Sequence, residues 1–205
     1  MSLSPHDNPN SQRVGTMDHR VSVIEPPAAV VSWEEMKSHC RLDDDTEKLH
    51  MEVLVAGATS WLDGPTGWLG RSIGVQLLEY AGEQWPGCLT DLPYGRVLEV
   101  TAVVYVDPDG VEHELPKPYP NNLMDFPDIR GEPGDIRIQY YAGFGLKDPE
   151  ASTGWVNDVP QALRVAIMLL AAQWFENREA VAVGVSVSDL PYSVSALIQP
   201  YRIYR

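Results

Sequence analysis

"QALRVAIMLLAAQWFENRE", residues 161–179, decides the fold class of this chain. From Val165 to Ala172 the apolar side chains leave no polar stripe. Such a helix must be covered on every side, by the rest of the fold or by neighbouring subunits. Trp174 and Phe175 are expected to close the core, and Asn177 with Arg178 to end the helix and bond to adjacent backbone or to a neighbouring subunit. The charges of Glu176, Arg178 and Glu179 also admit an acid-base reading, because clustered charges perturb one another. Just upstream, Asp158 and Gln161 have capping-box spacing around Pro160, which marks the helix start.

Two more helices precede it. Ser32 and Glu35 form a second capping-box pattern, and "SWEEMKSHCRL", residues 32–42, carries Trp33, Met36 and Cys40 at helical spacing, which predicts a short helix ending near Leu42. Asp43 to Asp45 then supply an N-cap and an acidic first turn for a helix from Thr46 to about Leu62. Its apolar face is read as Leu49, Val53, Leu54, Ala58, Trp61 and Leu62. "DGPTG", residues 63–67, breaks it.

Between these helices the period changes to two. Ile73, Val75 and Leu77 alternate with Ser72, Gly74 and Gln76, which predicts a strand with one solvated face. The β-branched run Val97 to Val106 meets the turn "DPDG" and resumes at Val111 to Leu115, a hairpin pattern. "GDIRIQYYAGFG", residues 134–145, puts Ile136, Ile138 and Tyr140 on one face of a third β segment, and "KDPEASTGW", residues 147–155, reads as a polar loop. The expected class is α+β, a mainly helical core with a small antiparallel β-hairpin or sheet element. A short helix near Ser193 to Gln199 and an aromatic, basic tail close the chain.

With 205 residues, 44% of them hydrophobic, the chain can bury one sizeable core. Its net charge of −14 argues against a duplex-binding surface, since phosphate affinity comes largely from Lys and Arg. Cys40 and Cys88 fall in unlike contexts, so a disulfide framework is not expected. No apolar run has the length of a membrane span. Residues 1 to about 20 lack apolar spacing and read as an arm.

The chemistry-bearing patterns are sparse. There is no Gly-x-Ser-x-Gly, P-loop, His-Glu-x-x-His or Cys-x-x-Cys. His39, Cys40 and His50 lack the spacing of a zinc set, and Asp43, Asp44 and Asp45 suit a helix start as well as a cation. "GWLGRSIG", residues 67–74, precedes a strand rather than following one, so it is not a phosphate cradle. Trp85 and Trp155 could face a partner or cap the core. The tail, with Tyr201, Arg202, Ile203, Tyr204 and Arg205, combines side chains enriched at interface hot spots and is expected to dock onto another chain. No cofactor or metal is implied.

In order, "SWEEMKSHCRLDDD", "EKLHMEVLVAGATSWL", "VQLLEY", "VTAVVYVDPDGV", "IRIQYYAGFG", "VPQALRVAIMLLAAQWFENREAV" and "ALIQPYRIYR" resemble the head-tail connector, or adaptor, proteins of tailed bacteriophages and prophage-like particles, from about Val31 to the C-terminus. The resemblance implies a structural protein without catalytic residues, made in the host bacterial cytoplasm and found in the virion neck. It implies a ring, typically dodecameric, beneath the portal protein, continuing the DNA channel and meeting a tail, stopper or neck protein on the far side. DNA would pass without specific binding along an acidic wall. Residues 1–30 are then an extended N-terminal arm, and by the same resemblance 31–190 are the connector core and 191–205 a portal-docking segment, with Leu197 and Ile198 joining the tail residues in that contact. A neck or tail-completion protein of similar fold is the nearest alternative, and a small α+β enzyme or ligand-binding module a remoter one. The arm and the Pro-rich "LPKPYPNNLMDFPDIRGEPG", residues 115–134, depart from the family pattern.

Overall fold

The computed structural model describes residues 19–83, 85–86, 88–89, 92–119, 135–177 and 192–204. Four α-helices gather on one side of the molecule and an antiparallel sheet lies beside them. The helices are α1 (Trp33–Cys40), α2 (Lys48–Leu62), α3 (Gln161–Glu176) and α4 (Tyr192–Ile198), the last running into a 3-10 turn, Gln199–Tyr201. The strands are β1 (His19–Glu25), β2 (Gln76–Gly82), β3 (Val97–Val106), β4 (Glu112–Glu114) and β5 (Ile136–Ala142), in the order β1-β2-β5-β3-β4. A separate two-stranded ribbon pairs β6 (Gly145–Lys147) with β7 (Trp155–Asn157). No helix among the described residues is long and apolar enough to cross a membrane.

Local chemistry explains most of the boundaries. Ser32 Oγ accepts from Glu35 N–H at 3.3 Å while Glu35 Oε2 accepts from Ser32 N–H at 2.9 Å, so the capping box of α1 forms as its sequence predicts. Arg164 of α3 also binds the Glu35 carboxylate, tying α1 to α3. Burial pushes the Glu35 carboxyl up, but the Ser32 amide and Arg164 outweigh it and hold it below the usual range. The Asp107 side chain accepts the Asp109 and Val111 amides at 2.9 Å each, which fixes the β3–β4 turn.

Two helix starts differ from expectation. The Asp43–Asp45 run does not cap α2, which begins at Lys48 with no side-chain cap. Asp44 instead accepts from Thr46 N–H, and Asp45 receives Lys37 Nζ at 2.6 Å and Trp33 Nε1 at 3.2 Å, so the carboxylates are spent on the α1–α2 connection. The Asp158–Gln161 box does not form either. Pro160 is the N-cap of α3, without a side-chain bond, and the Asp158 N–H is committed to Phe144 C=O at 2.9 Å.

The hydrophobic core is double. Met36, Met51, Leu62, Leu163, Ile167 and Ile198, all essentially inaccessible, anchor the helical cluster. Leu78, Val103, Ile136, Ile138 and Tyr140 anchor a second cluster on the sheet. Each such side chain contributes on the order of 1.5–3 kcal/mol through burial. "Mainly helical" therefore understates a five-stranded sheet with a core of its own. The sheet also takes in His19–Glu25, part of the segment expected to be an arm, as an edge strand paired with β2. Val30 and Val31 are buried with the helices, and residues 1–18 lie outside the described residues.

Candidate functional site

The loop that follows α2 is built to receive the end of the chain. Asp63, the C-cap of α2, accepts Ile73 N–H at 2.5 Å and Gln76 Nε2 at 3.1 Å, closing the loop back onto the first residue of β2. Gln76, expected on a solvated face, is therefore only 3% exposed, and Ser72–Val75 is loop rather than strand. Burial pushes the Asp63 carboxyl up to about 6 despite these bonds. Within the loop Trp68 N–H donates to Trp61 C=O and Leu69 N–H to Leu62 C=O, so the chain turns back along the helix end.

Onto this loop the tail folds. Ile203 N–H donates to Leu69 C=O at 2.9 Å. The next residue, Gly70, has φ +63°, and a Cβ there would stand 2.8 Å from Ile203 O, so the approach requires glycine. Arg202 lies over the Trp68 ring at 3.9 Å and the Tyr204 ring at 4.8 Å. Arg71 lies over Phe144 at 4.5 Å and donates to Tyr201 C=O at 3.4 Å, while Phe144 meets the Tyr201 ring edge-on. Cation-π contacts of this kind are worth about 0.5–2 kcal/mol each. Together they form a latch between the tail and the 63–72 loop.

This arrangement sorts the residues expected at a portal contact. Ile198 is fully buried, so it is not free for a partner, and Leu197 is partly buried against the helical core; both hold the tail to its own domain. Tyr201 and Ile203 are half-buried in the latch. Tyr204 is 66% exposed and Arg202 remains accessible beside it. Arg205 lies outside the described residues.

At the end of α3, Trp174 and Phe175 pack against the helical core, Trp174 close to Gly57 of α2 and Phe175 tilted against His50. Asn177 closes the helix, its N–H and its Nδ2 both donating to Gln173 C=O, at 3.0 and 2.9 Å. Arg178 lies outside the described residues. Neither Cys40 nor Cys88 is in a disulfide, and no group of three or more His, Cys, Asp or Glu among the described residues could hold a metal.

The face of α2 expected to be buried is split: Ala58 and Leu62 are buried and Leu54 packs against the helical core, but Leu49, Val53 and Trp61 turn outward. Met51, Val55, Ala58 and Leu62 face the core, while Leu49 is 76%, Val53 61% and Trp61 40% exposed. Beside the helix, a cleft of about 520 Å³ opens between α2 and the 26–33 segment, lined mainly by aliphatic side chains with Asp63 and Gln76 at one end.

Residues 137–202 match the family model described as "Phage gp6-like head-tail connector protein". The chain resembles head-tail connectors. The connector match covers nearly all of β5, the β6–β7 ribbon, α3 and α4, and takes in Phe144, Tyr201 and Arg202 of the latch while stopping short of Ile203 and Tyr204. A solved structure titled "Neck of empty GTA particle computed with C6 symmetry" shares the fold with a TM-score of 0.62 at 24% identity, covering 91% of this chain and 96% of that one. Comparison with curated proteins yields no match.

Proposed function

We propose that this chain is a structural subunit of the head-tail interface of a phage-like particle, repeated around the particle axis as a ring beneath the portal. The observation that carries the reading is the fold shared over nearly the whole of both chains with a protein of a particle neck. The connector match over residues 137–202 supports it independently. Twelve copies is the stoichiometry that the resemblance implies.

In this reading the portal contact falls to Arg202, Tyr204 and Arg205, while Leu197, Ile198, Tyr201 and Ile203 hold the tail in place from beneath. The far face of the ring meets a tail, stopper or neck protein. A net charge of −14 suits a channel wall along which DNA slides, because carboxylates release no counterions from a duplex.

The test mixes purified chain with the portal complex of the same particle and images the product by electron microscopy. Portal rings capped by an added layer are expected, with the layer lost for Tyr204→Asp at unchanged circular dichroism. A well-folded chain that leaves portal rings bare refutes the reading, and equal decoration by Tyr204→Asp removes the tail from the contact.

A further inference from the structure

The outer face of α2 is unusual for a surface helix. Leu49, Val53, Ala56, Gly57, Ser60 and Trp61 are all exposed, and from Val53 to Leu62 the helix carries no charge. An amphipathic surface helix puts charged residues on that side. Next to it, Gly57, Trp61 and Trp68 border a shallow groove of about 480 Å³. A second exposed apolar pair lies elsewhere on the chain. Leu146 and Val156 are directly opposed across β6–β7, so they share one face, and they are 56% and 40% exposed.

Resting on the ring reading, we infer that the α2 face of one copy receives the Leu146–Val156 face of the next. A ring joins two different surfaces of each subunit head to tail, so one chain must carry both halves of the contact. The charge points to a second copy as the occupant. Two chains of net charge −14 repel wherever acidic surfaces meet, and from Val53 to Leu62, beyond the exposed Glu52 at its edge, α2 offers nearly three turns of helix without a charge. The matching half is a pair of aliphatic side chains, whose contact with α2 gains through burial and costs no buried charge.

The experiment uses Val53→Glu and Leu146→Glu, in side chains 61% and 56% exposed respectively, so both variants should keep the wild-type circular dichroism and melting temperature. Sedimentation velocity of wild-type chain should show self-association that strengthens from low to high salt, as repulsion is screened. Each variant alone should associate at least about 30-fold more weakly, the effect of a central interface side chain. Mixed one to one, the variants should form dimers and nothing larger, because one intact α2 face then meets one intact hairpin face.

Wild-type association by either variant alone overturns the inference, as does a mixture that stays monomeric. A lowered melting temperature for monomeric Val53→Glu also overturns it, since the side chain would then be covered within its own chain. A wild-type chain that remains monomeric in high salt overturns it too. Portal decoration, read separately, tells whether the connector reading has failed with it.

Discussion

Asp63 gives the chain a pH dependence that one substitution isolates. Asp63 is 8% exposed, and its carboxyl accepts Ile73 N–H and Gln76 Nε2 and is raised by burial from 3.8 to about 6. The folded state therefore holds this proton more tightly than the unfolded chain. Its stabilising contribution is fully present below about pH 4 and is lost as pH rises to about 6. A shift from 3.8 to about 6 at 1.36 kcal/mol per pH unit corresponds to about 3 kcal/mol.

Asp63→Asn keeps an acceptor for Ile73 N–H and cannot ionise, and the Gln76 amide can turn its oxygen toward the new NH₂. Urea unfolding followed by tryptophan fluorescence, repeated from pH 4 to pH 8, gives stability curves for both proteins. The two should nearly coincide near pH 4 and separate through pH 6, with the variant the more stable by about 1–3 kcal/mol at neutral pH after allowing for a weakened bond to Gln76. The other titrating groups are common to both proteins, so the difference curve belongs to Asp63. Parallel curves across that window, or a variant less stable at pH 8, would refute the assignment.

Two further outcomes follow from the packing. Gly70→Ala forces a Cβ against Ile203 C=O at a positive φ, so the tail should lift from the 63–72 loop, seen as faster amide exchange at Ile203 and a stability loss of about 1–2 kcal/mol; unchanged exchange at Ile203 argues against the latch. Tyr140→Phe leaves the Pro93 carbonyl, now bonded at 2.7 Å, without its buried donor, and should cost about 1–2 kcal/mol in urea unfolding with the secondary structure unchanged.

The sheet was legible in β5 and in the β3–β4 hairpin. In β5 Ile136, Ile138 and Tyr140 alternate with half-buried residues, and the Asp107 turn of the β3–β4 hairpin carries its signal within a few residues. Of the motifs that carry the connector resemblance, those of the C-terminal part fall largely within the family match from Arg137 to Arg202, and the four before β5 fall outside it. What the sequence concealed depends on contacts between distant residues. Gln76 reads as a solvent-facing strand position because its partner, Asp63, lies 13 residues earlier beyond a glycine-rich turn. In α2, apolar residues occupy both sides, so the pattern could not choose between Leu49 and Val53 on one and Met51 and Val55 on the other. The β6–β7 ribbon is three residues long on each side, too short for alternation to register against its polar loop. The tail had the composition of an interface, and sequence could not reveal that Leu69 and Trp68 of its own chain are its first partners.

Hydrogen bonds in the connecting loops join the two cores. Asp63 with Ile73 and Gln76, Asn157 with Val75 N–H and Ala28 C=O, and Phe144 with Ile73 and Asp158 connect the helices to the sheet through loops, while the larger side chains pack within each half. Hydrogen bonds in loops break at less cost than a buried aliphatic cluster, so local opening begins at such a junction. Under load, the compliance of the chain would reside there: the helical half could tilt against the sheet as a rigid lever while each keeps its packing.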